Sequence, residues 1–177
     1  MNTHPTEFQS RLVVGKAELA VSDNTQATLV TYSLGSCLGV VVYDPIAKVG
    51  GLLHAMLPDS TIAPRKAAAH PGMFVDTGVP NLFQAVCQLG AQKHRMSIAV
   101  AGGAQALEST GDFSIGRRNV EALSRLFAAQ GLRVVAEQVG GLVNRTIYLS
   151  LATGELRLKI SGQPKELILL CKYSMTT

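Results

Sequence analysis

Two residues that could carry out covalent chemistry together, Cys37 and His54, lie 17 positions apart in the first half of the chain. Cys37 follows Gly35 and Ser36, which interrupt an apolar run that resumes at 38–43. A turn of small residues would hold the sulfur at the end of a strand rather than inside a sheet. A thiol with a histidine base in reach can attack an amide carbonyl, and the free N–H groups of such a turn can stabilise the oxyanion that forms.

The elements around these residues predict that they meet. Residues 38–43 and 51–57 read as strands, and we expect a turn between them built from Asp44, Pro45 and the glycine pair at 50–51. Strands joined by a short turn are usually neighbours in a sheet. A lone cysteine is nevertheless most often a small buried apolar residue, and a lone histidine is most often a satisfied structural one. Residue types alone leave both interpretations open.

The segment 29–58 closely resembles the signature of the chemoreceptor glutamine deamidases, the CheD family of bacterial chemotaxis. That signature has a threonine, a Gly-Ser-Cys turn, an apolar strand and a histidine within Gly-Gly-x-x-His-x-Met-Leu-Pro, and all of these are present here. The resemblance covers most of residues 11–160. Its further matches are 74–77, 102–104, 115–119, 140–145 and 153–154. Two departures, Arg117 in place of a glutamate and Asn144 in place of a glycine, concern partner or substrate contacts.

The resemblance implies a reaction and a role for each site residue. Cys37 would be the nucleophile, its thiolate favoured by His54 and by the amides of the Gly35-Ser36 turn, and His54 would accept and return the proton. Thr31 would orient the imidazole. The residues alone favour an ordinary strand threonine there, and only the resemblance gives it this role. The implied activity converts specific glutamines on the cytoplasmic helical domains of chemoreceptors to glutamate through a thioester. It requires no cofactor and no metal.

Two other functions remain open. The chain could be a non-catalytic module that docks on chemoreceptors or on a CheC-type phosphatase and regulates it. A generic thiol protease matches the sequence less well. Exposed basic residues could contact an acidic partner in either case, since a mild positive charge favours such partners, but a solvated surface is the better explanation for each pair. These residues are Arg65, Lys66, Arg117 and Arg118.

Composition excludes several other classes of protein. The 177 residues are 47% hydrophobic and 16% charged, which predicts one domain over 11–177 after a flexible tail at 1–10. No apolar run is long enough to span a bilayer, and the first residues lack the apolar stretch of a secretory signal. Three widely spaced cysteines favour a reducing, cytoplasmic location and disfavour zinc. The net charge of +4 is scattered, without the interleaved aromatic residues typical of a nucleic-acid surface.

The order of the elements indicates an α+β domain, with a largely antiparallel or mixed sheet covered by two main helices in a sandwich-like arrangement. The first helix is predicted to begin at Asp76 or Thr77 and to end near Leu89, with Cys87 in the core. The second is predicted to begin at Ser114 and to end at Gly131. The predicted strands are 11–21, 27–34, 38–43, 51–57, 96–101, 132–139, 145–151, 155–160 and 166–173, and 58–71 is predicted to be a loop.

Overall fold

The computed structural model describes residues 10–105 and 114–170. Within these ranges the chain forms ten strands and three helices, so the predicted α+β class is confirmed. The helices are α1 (Pro64–Ala69), α2 (Val75–Gln88) and α3 (Ile115–Ala129). The strands are β1 (Ser10–Val13), β2 (Leu19–Ser22), β3 (Ala27–Leu34), β4 (Leu38–Asp44), β5 (Val49–Ala55), β6 (Ser97–Gly102), β7 (Ala136–Val139), β8 (Arg145–Ser150), β9 (Leu156–Ile160) and β10 (Leu167–Leu170).

The strands divide into two five-stranded mixed sheets. The first sheet has the order β1-β3-β8-β9-β10, and the second has the order β2-β5-β4-β6-β7. One apolar cluster fills the space between the sheets, with Leu29 and Ile147 from the first sheet and Val41 and Leu52 from the second. A second cluster joins the other face of the second sheet to α2 and α3. The molecule therefore has three layers, and the second sheet is buried on both of its faces.

The hairpin of β4 and β5 carries Cys37 and His54 at its open end. Its register runs without interruption from the pair of Leu38 and Ala55 to the pair of Asp44 and Val49. At the closed end, the buried Asp44 carboxylate accepts hydrogen bonds from the backbone N–H groups of residues 46 and 47 and pairs with Arg95 at 2.7 Å. The prediction that these two strands are neighbours is correct.

The glycine pair predicted to form the turn of this hairpin lies instead inside β5. A Cβ atom on Gly50 would overlap the side chain of Leu151, and one on Gly51 would press on Leu82 and Val86. These glycines let side chains of both neighbouring layers approach the strand. The turn itself is formed by residues 45–48, with Lys48 at positive φ.

Other segments also differ from their predicted structure. The single strand predicted for 11–21 is divided between β1 and β2, which belong to different sheets, and residues 14–18 cross between them. The predicted loop at 58–71 contains α1, because Pro64 begins a helix without needing an N–H partner and three alanines continue it. Of the predicted N-terminal tail, residues 1–9 lie outside the described residues, and Ser10 is already part of β1.

Cys87 is exposed, which corrects the prediction that it lies in the core. The buried face of α2 is formed by Val75, Gly78, Val79, Leu82 and Val86. Cys87 follows Val86 by one residue, a rotation of about 100° around the helix axis, so its side chain leaves that face. Cys171 lies outside the described residues. Within the described ranges, no helix is both long enough and apolar enough to cross a membrane.

Candidate active site

Thr31 and His54 face each other across the space between the two sheets. Thr31 is in β3 of the first sheet and His54 is in β5 of the second, and both are almost completely buried, with His54 1% exposed. The distance from Thr31 Oγ1 to His54 Nδ1 is 2.7 Å. β3 has a β-bulge between Thr31 and Leu34, with Ser33 at positive φ. Because of the bulge, the side chains of Thr31 and Leu34 are both buried, whereas residues 32 and 33 between them are exposed.

The hydrogen bonds of Thr31 determine the tautomer of His54. The Thr31 hydroxyl donates its single proton to the carbonyl oxygen of Val14 at 2.8 Å. The same oxygen must therefore accept from His54, which places the imidazole proton on Nδ1. Nε2 is then the ring nitrogen with a free lone pair, and it has no hydrogen-bond partner among the described residues. An unengaged Nε2 is able to take a proton from a neighbouring group.

Cys37 lies diagonally across the hairpin from His54. His54 pairs with Gly39, two residues along the strand from Cys37. Cys37 immediately precedes β4, so it continues the strand next to the positions that pair with residues 54 and 55. The partly buried Cys37 packs against the apolar cluster between the sheets, which is the side on which His54 meets Thr31. The geometry thus places the sulfur, the imidazole and the hydroxyl on one side of the second sheet.

The turn that carries Cys37 is anchored through its carbonyl groups. The carbonyl oxygen of Gly35 accepts from the N–H of Ala104, and that of Cys37 accepts from the N–H of Gly103, both at 2.8 Å. The intervening carbonyl of Ser36 accepts from the side chain of Asn119 at 2.9 Å. Three consecutive carbonyls are therefore directed toward the end of β6 and α3.

The end of β6 approaches the turn so closely that it needs glycine. A Cβ atom on Gly102 would overlap the carbonyl oxygen of Cys37, and Gly102 also has φ of +114°. Gly102 and Gly103 lie within the stretch 102–104 that matches the resembled family. Arg145, only 5% exposed, reaches the same place and donates from Nη1 to the carbonyl of Gly102 at 3.5 Å.

The pKa values of the two central residues favour their neutral forms. Burial raises the pKa of the Cys37 thiol, although the positive charge of Lys16 and the backbone N–H of Cys37 itself act in the opposite direction. Burial, assisted by the charge of Lys16, lowers the pKa of His54 to about 4. These directions differ from the expectation that the thiolate is favoured, because removing both groups from water disfavours charge on each.

Lys16 is a charged neighbour of the site that the sequence analysis missed. It belongs to residues 14–18, which are fastened to His54 by two backbone hydrogen bonds. The N–H of Ala17 donates to the carbonyl of His54 at 3.0 Å, and the N–H of His54 donates to the carbonyl of Glu18 at 2.9 Å. Nothing in the sequence indicated that this connection between the sheets borders the site, because it was predicted to be continuous strand.

Asn119 is a second residue that the sequence analysis did not place in the site. It was noted only within the stretch 115–119, whose arginines were considered for partner contact. The structure buries Asn119 completely and directs its amide at the turn of Cys37 and at the carbonyl of Met56. A polar residue one turn into an amphipathic helix, flanked by Arg118 and Val120, gives no sign in the sequence of its contacts.

The four basic residues considered for docking lie on the surface in two places. Arg65 and Lys66 are exposed on α1. Arg117 is paired with Glu121 at 3.6 Å, and Arg118 lines a surface hollow of about 420 Å³ whose acidic members are Asp59, Asp76 and Glu121. The positive charge of the α3 pair is therefore partly balanced locally. Their role in docking stays a prediction.

Among residues 10–105 and 114–170, no three His, Cys, Asp or Glu side chains are grouped so as to hold a metal ion. The site holds a thiol, an imidazole with a free Nε2 and a hydroxyl on Nδ1, which are side-chain types that thiol hydrolases use as nucleophile, base and orienting group.

Comparison with known proteins shows the family to which the chain is similar. The family described as "CheD chemotactic sensory transduction" matches residues 56–160. A protein of Syntrophus aciditrophicus named "Probable chemoreceptor glutamine deamidase CheD 1" is 46% identical over 153 residues, covering 86% of this chain and 96% of that protein. A protein of Solibacter usitatus named "Probable chemoreceptor glutamine deamidase CheD" is 42% identical over 158 residues, covering 89% and 94%. The similarly named protein of Pyrococcus abyssi is 42% identical over 154 residues, covering 85% and 88%.

The chain belongs to the CheD family. The match to the family begins two residues after His54, so it includes Asn119 and Arg145 but not Thr31, Cys37 or His54. The roles of those three residues depend on their own geometry.

Proposed function

We propose that this protein deamidates glutamine side chains of chemoreceptors, with Cys37 as the nucleophile and His54 as the base. The observation that carries the proposal is the unpartnered Nε2 of a buried histidine whose other nitrogen is occupied by Thr31, on the side of the sheet where Cys37 lies. The names of the relatives supply the substrate, since each is described as a chemoreceptor glutamine deamidase.

The reaction begins from a neutral pair, which the raised pKa of the Cys37 thiol and the lowered pKa of His54 support. As the sulfur attacks the carboxamide carbon, His54 Nε2 accepts the thiol proton. The tetrahedral intermediate collapses when Nε2 gives this proton to the amide nitrogen, which leaves as ammonia, and a thioester to Cys37 remains. Water activated by Nε2 then attacks the thioester, releasing glutamate and returning a proton to the sulfur.

Thr31 and the turn residues support these steps. Thr31 keeps the Nδ1–H tautomer, so Nε2 is always the nitrogen that exchanges the proton. Gly35 and Ser36 form the turn before Cys37, and their carbonyl groups are directed toward the end of β6 and toward α3. The N–H groups of the same peptides point the opposite way, where they can donate to the oxyanion. The substrate is the exposed side chain of a helical receptor domain in the cytoplasm, so no deep pocket is needed.

The proposal is tested with peptides that contain receptor glutamines. The chain with Cys37 intact should release ammonia and raise the peptide mass by about one dalton, and Cys37→Ala should do neither. Cys87 is exposed, so Cys87→Ser is the matched control, and it should retain the wild-type rate. Unchanged turnover by Cys37→Ala would refute Cys37 as the nucleophile. No turnover by the unmodified chain would refute the activity itself and favour the alternative of a docking or regulatory module.

A further inference from the structure

Asn119 contacts both the segment that carries Cys37 and the segment that carries His54, from the side of α3. It lies in the first turns of α3, and its single amide nitrogen donates to the carbonyl of Ser36 at 2.9 Å and to the carbonyl of Met56 at 3.0 Å. Ser36 immediately precedes Cys37, and Met56 follows His54 by two residues. One side chain therefore connects the turn of the nucleophile to the strand of the base.

We propose that Asn119 is a positioning residue that orients the peptide group between Ser36 and Cys37, so that the N–H of Cys37 points to the place where the oxyanion forms. The inference rests on the proposed function of Cys37 as nucleophile. In a planar trans peptide, the C=O and the N–H point in opposite directions. Because Asn119 holds the Ser36 carbonyl toward α3, the Cys37 N–H is directed away from α3.

The neighbouring carbonyls show why this one contact matters. Those of Gly35 and Cys37 are held by backbone N–H groups of Ala104 and Gly103, which no side-chain substitution removes. The Ser36 carbonyl is held by a side chain instead. A substitution of Asn119 can therefore change the orientation of this turn, because it removes the group that holds the Ser36 carbonyl.

The unpaired oxygen of Asn119 indicates that its two donors are the reason for asparagine at this position. Oδ1 is buried and has no partner among the described residues, which is unfavourable. Nδ2 uses both of its hydrogens on the carbonyls of Ser36 and Met56. An uncharged side chain of this size with two N–H donors on one atom is available only as the amide of asparagine.

Two reactions of the same sulfur distinguish positioning of this peptide group from general damage. Deamidation places negative charge on a carbonyl oxygen and depends on a donor that stabilises it. Alkylation of Cys37 by iodoacetamide forms a bond from sulfur to carbon and releases iodide, without an oxyanion. Loss of the Asn119 contact should therefore slow the first reaction far more than the second.

The experiment uses the full chain carrying Cys87→Ser and Cys171→Ser, so that Cys37 is the remaining thiol. Asn119→Asp keeps the shape of the side chain but replaces both N–H donors with an oxygen, and Asn119→Ala removes them without adding charge. In each variant, kcat on a glutamine peptide should fall about 10- to 100-fold, with KM and the iodoacetamide rate constant within about threefold of their values in the parent chain.

Leu123→Ala, one turn further along α3 and also buried, is the matched control. It should lower the melting temperature while kcat stays near the parent value. A folded Asn119 variant that keeps its kcat, or one whose alkylation slows as much as its deamidation, would overturn the inference. Turnover by Cys37→Ala in the same assay would instead refute the proposed function, so the two failures are distinguishable.

Discussion

At the scale of single residues, the Thr31 hydroxyl decides which nitrogen of His54 can act as a base. Its proton is committed to the carbonyl of Val14, so the imidazole must donate from Nδ1. A threonine in a strand would ordinarily be explained by β-propensity alone. The structure adds a hydrogen bond to His54 across the sheets, a contact that the sequence could suggest only through the family resemblance.

Thr31→Val tests that role, because valine keeps the shape and loses the hydroxyl. The imidazole would then lose the partner that fixes its tautomer, and we expect kcat to fall about 10- to 100-fold. The variant also leaves the buried carbonyl of Val14 unpaired, which should lower the free energy of unfolding by about 1–3 kcal/mol. Thr31→Ser retains the hydroxyl and should keep most of the rate. Equal rates for the valine and serine variants would contradict an orienting hydrogen bond.

His54 makes stability depend on pH in a defined window. Its pKa of about 4 in the folded protein lies below the ordinary value of 6.5, so the unfolded chain binds more protons between these values. Stability from this group is therefore fully present above pH 6.5 and is lost as the pH falls toward 4. We expect His54 to account for about 2–3 kcal/mol of the fall in unfolding free energy between pH 7 and pH 4.5.

Urea unfolding of the native chain and of His54→Gln at both pH values measures this contribution. The pH dependence should be smaller in His54→Gln by that amount. Asp44 does not interfere, since its pKa of about 2 lies below the window. Burial works against that low value, but the hydrogen bonds from Arg95 and from three backbone N–H groups prevail. Identical pH dependence in both chains would mean that His54 titrates normally in the folded protein.

At the scale of elements, the site is assembled by the β4–β5 hairpin, the end of β6 and the start of α3. The hairpin gives the register, with His54 opposite Gly39. The end of β6 and α3 hold the carbonyls of the turn. Close approach of these elements depends on residues without side chains, of which Gly102 is the nearest to Cys37.

Gly102→Ala should therefore displace the turn that carries Cys37. The added methyl group would overlap the Cys37 carbonyl, so we expect a large loss of kcat together with a lower melting temperature. Gly90→Ala is the matched control, since Gly90 also has positive φ, at +97°, but a Cβ atom there meets nothing within 4 Å. Gly90→Ala should cost stability only through the strain of alanine at positive φ, and it should leave kcat unchanged. If both variants were equally active, close packing behind Cys37 would not matter for catalysis.

The sequence predicted some of these elements well and others poorly, for physical reasons. The hairpin and α3 were predicted because strand pairing across a short turn and helical periodicity are local properties. The cap of α3 by Ser114 is local too, and its side chain accepts from the N–H of Arg117. The exposure of Cys87 is also a local property, because Cys87 follows Val86 of the buried face of α2 by one residue. The division of 11–21 between two sheets depends on packing between distant segments. The contacts of Lys16 and Asn119 also depend on packing between distant segments.

At the scale of the whole molecule, the site lies where the two sheets meet, and the basic residues lie on α1 and α3. Arg117 and Arg118 have acidic neighbours, whereas Arg65 and Lys66 are exposed on α1. If the chain docks on an acidic receptor surface, exposed charges should influence the rate of encounter more than the chemistry. The α1 pair is then the better candidate for this attraction.

Raising the salt concentration should lower the association rate with a receptor domain, because the screening length falls from about 10 Å at 0.1 M to about 3 Å at 1 M. Lys66→Glu should lower it further, while turnover of a short glutamine peptide stays the same. Lys159→Glu changes the net charge equally but lies on β9 of the first sheet, and should have a smaller effect. An association rate that is indifferent to salt and to Lys66→Glu would mean that docking is mainly apolar.

The thioester between Cys37 and the substrate is the most direct test of the central claim. A receptor glutamine peptide is mixed with the chain, quenched in acid within one turnover, and the intact protein mass is measured. We expect an adduct with the mass of the peptide less one ammonia, mapped to Cys37, that disappears as the glutamate product forms. The adduct should be absent from Cys37→Ala. Product formation without any adduct, or an adduct on Cys87, would contradict the account.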